Sequence, residues 1–203
     1  MKIYQTRSAP NPRRVRIFLV EKGVSMEYAE VDLMKGELRT PEFTKLNRFQ
    51  RVPVLQLDDG TTISETMAIC RYFEELNPLP PLMGTGPRER AIVEMWNRHM
   101  ELGLMFAVAG AFRHAHPAMA HLEQPQIKEF SEACKPKAIA MLHALDEELA
   151  SRQYVAGATY SVADITALCA IDFMRPARIA RPEGLKNLDR WYVDVTTRPS
   201  AQA

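Results

Sequence analysis

Apolar and polar positions follow two different spacings in the first third of the chain and a single one afterwards. Lys2 to Gln5 reads as a short strand, followed by the turn-forming Pro10-Asn11-Pro12. Asn11 is a good N-cap, and Pro12 suits the first helical position because it has no N–H to leave unbonded. The predicted helix, Arg13 to Lys22, carries Val15, Phe18 and Leu19 on one face and stops at Gly23. Met26, Tyr28, Val31 and Leu33 alternate with polar residues, which predicts a second strand over 26–33. Thr40-Pro41 opens a short helix with Phe43 and Leu46 as its apolar face. Val52 to Leu57 predicts a strand, Asp59-Gly60 a hairpin turn, and Thr61 to Ile63 the returning strand. Ser64-Glu65-Thr66 then starts a helix with Ile69, Tyr72, Phe73 and Leu76 on one side, ended by Pro78, Pro80 and Pro81.

The order β-α-β-α-β-β-α within residues 1–77 requires a mixed sheet with helices packed on it. A Pro- and Gly-rich linker follows at 78–86, and every periodic stretch over 87–203 is helical. Ile127, Phe130, Cys134, Ala138, Leu142, Leu145 and Leu149 step at intervals of three and four, a core stripe in which Pro136 predicts a kink or restart. Ser161-x-x-Asp164 is a capping box, and Tyr160 with Ile165 forms its hydrophobic staple; its role is structural. The longest apolar run, Leu102 to Phe112, spans 11 residues, which fits a buried helix and not a bilayer crossing.

Apolar residues make up 46% of the 203 and charged residues 25%, the balance of a folded globule. Lys and Arg total 26 against 25 acids, a net +1, so the basic stripe of a nucleic-acid binder is not expected, nor is a membrane partner. The start lacks a secretory apolar region, and Cys70, Cys134 and Cys169 form no disulfide framework; the expected location is the cytoplasm. His114 and His116, two apart, fall on different sides of a helix, so no metal site is expected.

Arg51-Val52-Pro53-Val54-Leu55, Ser64-Glu65-Thr66-Met67-Ala68-Ile69, Tyr154-Val155-Ala156-Gly157 leading into Tyr160-Ser161-Val162-Ala163-Asp164, and Trp191-Tyr192 before Arg198-Pro199-Ser200 stand in an order that resembles the cytosolic glutathione S-transferases. Leu33-Met34-Lys35-Gly36-Glu37, Pro41-Glu42-Phe43 and Leu57-Asp58-Asp59-Gly60 resemble more narrowly the subgroup of the second yeast glutathione transferase. The resemblance implies a thioredoxin-like α/β domain with a mixed four-stranded sheet at 1–77, which binds glutathione. It further implies an all-α domain at 87–203, which forms the electrophile pocket.

By that resemblance, Pro53 follows a cis bond and Val52 pairs through its backbone with the cysteine of the peptide. Glu65 takes the γ-glutamyl ammonium group and Thr66, at a helix N-terminus, its carboxylate. Arg51 is the candidate for the glycine carboxylate, while Leu38 stands where many relatives have a histidine. The catalytic demand is to lower the thiol pKa from ~8.5. Asn11 is one candidate donor, with a plain helix cap as its other reading. Ser8 matches the serine-type classes if one residue is inserted, whereas an ungapped alignment gives Ala9; Tyr4 reads as core. With no cysteine near residues 8 to 14, a cysteine-based mechanism is excluded.

In the yeast subgroup a water held by helical-domain residues is implied. The matching positions are Ala109 and Arg113, which do not preserve it, and His114 is the neighbour able to take that place. Met105 and Phe106 are expected to line the electrophile pocket with these. The implied protein is a homodimer, with Glu94, Met95 and Asn97 in its interface, using glutathione as co-substrate against a hydrophobic electrophile. The competing functions are a glutathione-dependent disulfide-bond reductase and a non-catalytic ligand-binding module.

Overall fold

Strand β1 (Lys2–Gln5) lies parallel to β2 (Glu27–Glu30) and antiparallel to β3 (Val54–Gln56), which pairs antiparallel with β4 (Thr62–Ser64). The sheet order is β2-β1-β3-β4, a four-stranded mixed sheet. Helices α1 (Pro10–Glu21), α2 (Pro41–Leu46) and α3 (Thr66–Leu76) accompany it. The computed structural model describes residues 1–203 as two units, Met1–Pro81 with Gln202–Ala203, and Leu82–Ala201.

In the first unit the apolar spacing does what it predicts for α1: Val15, Phe18 and Leu19 are fully buried. The helix begins earlier than expected. Ala9 is the N-cap residue and Pro10 the first helical residue, so Asn11 is not the cap. A proline at either position 10 or 12 tolerates helical φ without an N–H, and the first one available starts the helix. Strand β2 is shorter than the 26–33 alternation suggests, and Tyr28 is exposed. The chain leaves the sheet where Asp32 Oδ1 accepts from the Met34 and Lys35 N–H groups, a local turn that competes with the ladder. Thr40 caps α2 through its hydroxyl, which accepts from the Phe43 N–H at 3.2 Å. On α3, Ile69 and Phe73 are buried, but Leu76 in the last turn faces solvent.

The second unit is helical. Helix α4 (Gly86–Arg98) continues through a π-helical segment, His99–Met105, into α5 (Phe106–Arg113). The 11-residue apolar run is therefore not buried all round: Leu102 is 63% and Phe106 61% exposed, because the run is longer than the stripe that meets neighbouring helices. Helix α6 (Lys128–Leu149) passes through Pro136 without a break. Its opposite face, Cys134, Ala138, Leu142, Leu145 and Leu149, is buried, while Pro136 is exposed where a missing N–H is tolerated. Ile127 and Phe130, at the start of that stripe, are exposed. Gly110 lets α5 approach α6 closely, since a Cβ there would stand 2.8 Å from Cys134 Sγ.

Helix α7 (Val162–Met174) starts at the predicted capping box, both of whose hydrogen bonds are present, with Tyr160 and Ile165 buried. Helix α8 (Lys186–Thr196) packs Leu188, Trp191 and Val195 inward. No helix is long and apolar enough to cross a membrane.

Candidate functional site

The first unit assembles its candidate residues at one end of the β3–β4 hairpin. The ladder pairs Val54 with Ser64. Pro53 and Val52 precede this last pair on one strand, and Glu65 and Thr66 follow it on the other. Val52 precedes a cis bond to Pro53, and no other backbone group pairs with its N–H or C=O. Its side chain packs on a cluster of Val31, Leu38, Phe43 and Val54. Leu38 is thus core, as is the ring of Tyr4, whose hydroxyl donates to Gln56 Oε1 at 3.0 Å.

Glu65 occupies the left-handed region at φ 74, which turns the chain sharply from β4 into α3. A non-glycine residue there is strained by roughly 1–2 kcal/mol, and such residues cluster at ligand sites. Its side chain does not cap the helix, so the first amides of α3, with their partial positive charge, take no bond from it. Thr66 is the first residue of α3 and is 5% exposed, while Glu65 itself is exposed.

Arg51 is exposed at the tip of the loop before β3. Two features that sequence reasoning missed set its position. Asn47 is buried and uses both ends of its amide: Nδ2 donates to the Arg51 carbonyl at 2.9 Å, and Oδ1 accepts from the Phe49 N–H at 3.0 Å. Gln50 is in the left-handed region at φ 54. Asn after a helix signals a turn, and nothing in the sequence tells such a turn from any other.

At the start of α1, Ser8 is exposed in a turn closed by the Ala9 N–H donating to the Thr6 carbonyl at 3.0 Å. Asn11 is exposed in the first turn of the helix, where its Oδ1 accepts from Arg14 Nη1 at 3.1 Å. That bond orients the amide and leaves Nδ2 as its donor end. Arg14 is buried, as is Arg16, which donates to Gln5 Oε1 at 2.6 Å and to the Arg7 carbonyl at 2.9 Å. Gln5 Nε2 in turn donates to Glu30 at 2.6 Å. The run Arg13-Arg14-Val15-Arg16 gives no sign that two of its charges are interior.

In the second unit, Met105 is core and Phe106 lines an open groove of about 440 Å³ shared with Phe130, Cys134 and Met141. Ala109 is half-buried on the same helix and does not line that groove. Arg113 Nε donates to Glu123 Oε2 at 2.7 Å. His114 and His116 lie past the end of α5, in a turn and not on a helix. His114 Nδ1 accepts from the Ile127 N–H at 3.1 Å, its Nε2 stands 3.7 Å from Glu123, and its ring lies edge-on to Phe130. His116 Nδ1 accepts from the Ala118 N–H at 3.2 Å. Both imidazoles are thereby committed to the loop that leads into α6. Phe112, between them and the core, packs against His116 at 4.6 Å and Phe173 at 4.8 Å.

Two further placements concern chemistry and assembly. All three cysteines are buried thiols, and burial pushes the Cys134 thiol up. Asn97, expected at an interface, is instead fully buried: its Oδ1 accepts from Thr166 Oγ1 at 2.7 Å, joining α4 to α7. A polar residue on an amphipathic helix reads as surface until a partner inside the core is seen. Glu94 and Met95 remain at the surface.

These elements define a class of protein. Residues 1–75 match the glutathione S-transferase N-terminal domain and residues 95–199 the C-terminal domain. The chain belongs to the glutathione S-transferases, a family of enzymes that bind glutathione. Within it, the chain is 39% identical to glutathione S-transferase 2 of Saccharomyces cerevisiae, over all of this chain and 88% of the relative. Two solved structures superpose with a TM-score of 0.95. One is Gtt2 from the same yeast, with 39% identity over 100% of this chain and 99% of that one. The other is a glutathione S-transferase domain-containing protein of Marinobacter aquaeolei, with 41% identity over 98% and 99%. The thioredoxin-like first domain and helical second domain expected from the sequence are those of the family.

Proposed function

We propose that this chain is a cytoplasmic, homodimeric glutathione transferase that adds the thiolate of glutathione to small hydrophobic electrophiles. The observation that carries the reading is the unpaired backbone of Val52, before the cis bond to Pro53, next to the hairpin end from which the uncapped α3 starts. Val52 offers an N–H and a C=O to the backbone of the peptide's cysteine, a two-bond antiparallel contact that needs no side chain. The α3 amides and Thr66 hydroxyl bind the γ-glutamyl carboxylate, and the Glu65 carboxylate binds its ammonium group. Arg51, steadied through Asn47, bonds the glycine carboxylate.

With both ends held, the thiol lies near the start of α1. Its anion is favoured there by the helix dipole, by Asn11 Nδ2 as donor, and by Ser8 as the alternative hydroxyl. The protein supplies orientation and thiolate stabilisation, and the leaving group or activated double bond of the electrophile completes the reaction. Of Met105, Phe106, Ala109, Arg113 and His114, we assign Phe106, on the open groove, to receive the electrophile. The exposed Met95, expected at an interface, and Leu102 support assembly into a dimer.

The deciding experiment is to titrate the ultraviolet thiolate absorbance of glutathione bound to the purified protein against pH. Ionisation well below the free thiol's ~8.5 supports the transferase. Glutathione held as a neutral thiol favours a binding module, and faster reduction of hydroxyethyl disulfide than conjugation of aryl chlorides favours a reductase.

A further inference from the structure

The C-terminal end of α7 carries an arginine where a glycine is the ordinary choice. The helix closes through three backbone bonds: Ala177 N–H to the Phe173 carbonyl at 3.3 Å, Arg178 N–H to Arg175 at 3.0 Å, and Ile179 N–H to Met174 at 3.0 Å. The last two form the paired closure that requires a left-handed residue, and Arg178 takes that place at φ 56. Glycine would adopt this conformation without the Cβ clash that an arginine meets. The Phe173, Met174 and Arg175 carbonyls are satisfied by these backbone bonds, so the guanidinium is not needed to cap them.

That guanidinium stands on an open basin of about 840 Å³, whose lining lies entirely within the second unit. The floor is apolar, made by Ile171, Met174 and Ile179. Arg175 and Arg178 stand on its rim, exposed, and neither side chain makes a hydrogen bond or ion pair. The other charges facing the basin are occupied. Arg181 pairs with Asp189 and lies over the Tyr192 ring at 5.0 Å, and Tyr192 Oη donates to Asp172 Oδ1 at 2.5 Å. The basin shares no residue with the hairpin end of the first unit or with the groove beside Phe106.

From this geometry we infer a second binding site, at the end of α7, for a small organic phosphate. Its dianionic head is gripped by Arg175 and Arg178 and its apolar body lies on Ile171, Met174 and Ile179. Two unpaired planar guanidiniums match the charge and the multiple oxygens of a phosphate monoester, which takes forked hydrogen bonds. The volume falls within the range of small-molecule sites.

The probe is 1-naphthyl phosphate, followed by its own fluorescence, with the protein saturated by S-hexylglutathione so that the glutathione site is filled. Binding is expected to persist under saturation, to weaken with added salt, and to be at least about tenfold tighter than that of the neutral 1-naphthol. The double variant R175Q/R178Q is expected to lose about tenfold or more in affinity while its glutathione conjugation rate is unchanged. R178G separates ligand binding from folding: relief of the left-handed arginine raises the melting temperature while phosphate binding weakens. Displacement of the probe by S-hexylglutathione, or equal affinity in wild type and R175Q/R178Q, would overturn the site. A lowered melting temperature in R178G would overturn the argument that arginine is held there for a ligand.

Discussion

Trp191 Nε1–H donates to Asp164 Oδ1 at 2.8 Å, joining α8 to the first turn of α7 inside the second unit. The same carboxylate accepts from the Val155 N–H at 2.8 Å, and from the Ser161 N–H and hydroxyl at 2.9 and 3.1 Å. One fully buried acid thus ties together the loop before α7, the cap of α7 and the middle of α8. Each donor would be an orphan without it. Asp164→Ala is expected to cost at least about 3 kcal/mol, from a lost cap of ~1 and buried donors left unbonded at ~1–3 each. Trp191→Phe, which removes one donor, is expected to cost about 1.5–3 kcal/mol. Urea denaturation checks both, and losses below ~1 kcal/mol would show that other partners take over.

Asp164 also gives the fold a pH dependence. Burial pushes its carboxyl from 3.8 up to about 6, against the Val155, Trp191 and Ser161 donors that favour the anion. Because the folded-state value is raised, the folded protein holds this proton more tightly than the unfolded chain does. The stabilisation is complete below about 3.8 and is lost as pH rises through about 6, a change on the order of 3 kcal/mol from this group. Carbon-13 NMR of the labelled carboxyl should titrate near 6 in the native protein. A midpoint at or below 3.8 would contradict the assignment of burial as the dominant cause.

Thr66→Ala tests the proposed γ-glutamyl contact. Loss of one charge-assisted bond is expected to weaken glutathione binding by about 1.5–3 kcal/mol, roughly 10- to 150-fold in Kd, with Thr66→Ser retaining most of the affinity. Calorimetric titration measures this. An unchanged Kd removes Thr66 from the site.

Asn11→Ala is expected to raise the pKa of the bound thiol more than it changes the Kd for glutathione. Asn11 does not cap α1, whose N-cap is Ala9, but its Oδ1 partners the buried Arg14, so the melting temperature should fall modestly alongside the pKa change. Thiolate absorbance and thermal melting are measured on the same variant. A fall in melting temperature with no pKa change would make Asn11 a partner of Arg14 alone.

Much of this molecule is legible before folding because its signals are local. Asp59-Gly60, Thr40-Pro41 and Ser161-x-x-Asp164 specify turns and caps through atoms a few residues apart, and each forms as read. The start of α1 misleads, since Pro10 and Pro12 satisfy the same local rule and only the surrounding chain chooses between them. Pro136 misleads differently. Its local cost is outweighed by the buried stripe on the far side of α6.

Spacing and turn chemistry, acting over short stretches of chain, were enough for the order of strands and helices, the mixed sheet and the helical second half, and the motifs along the chain marked the family. Tertiary structure alone decided that Arg14 and Arg16 are interior, that Asn97 serves Thr166 and not a surface, and that Asp164 gathers donors from two helices and a loop. It alone gathered Arg175 and Arg178 at one basin. A polar side chain carries no local mark of burial. Whether it meets water or a partner depends on residues as far as 69 positions away, as Thr166 is from Asn97, and only packing brings them together.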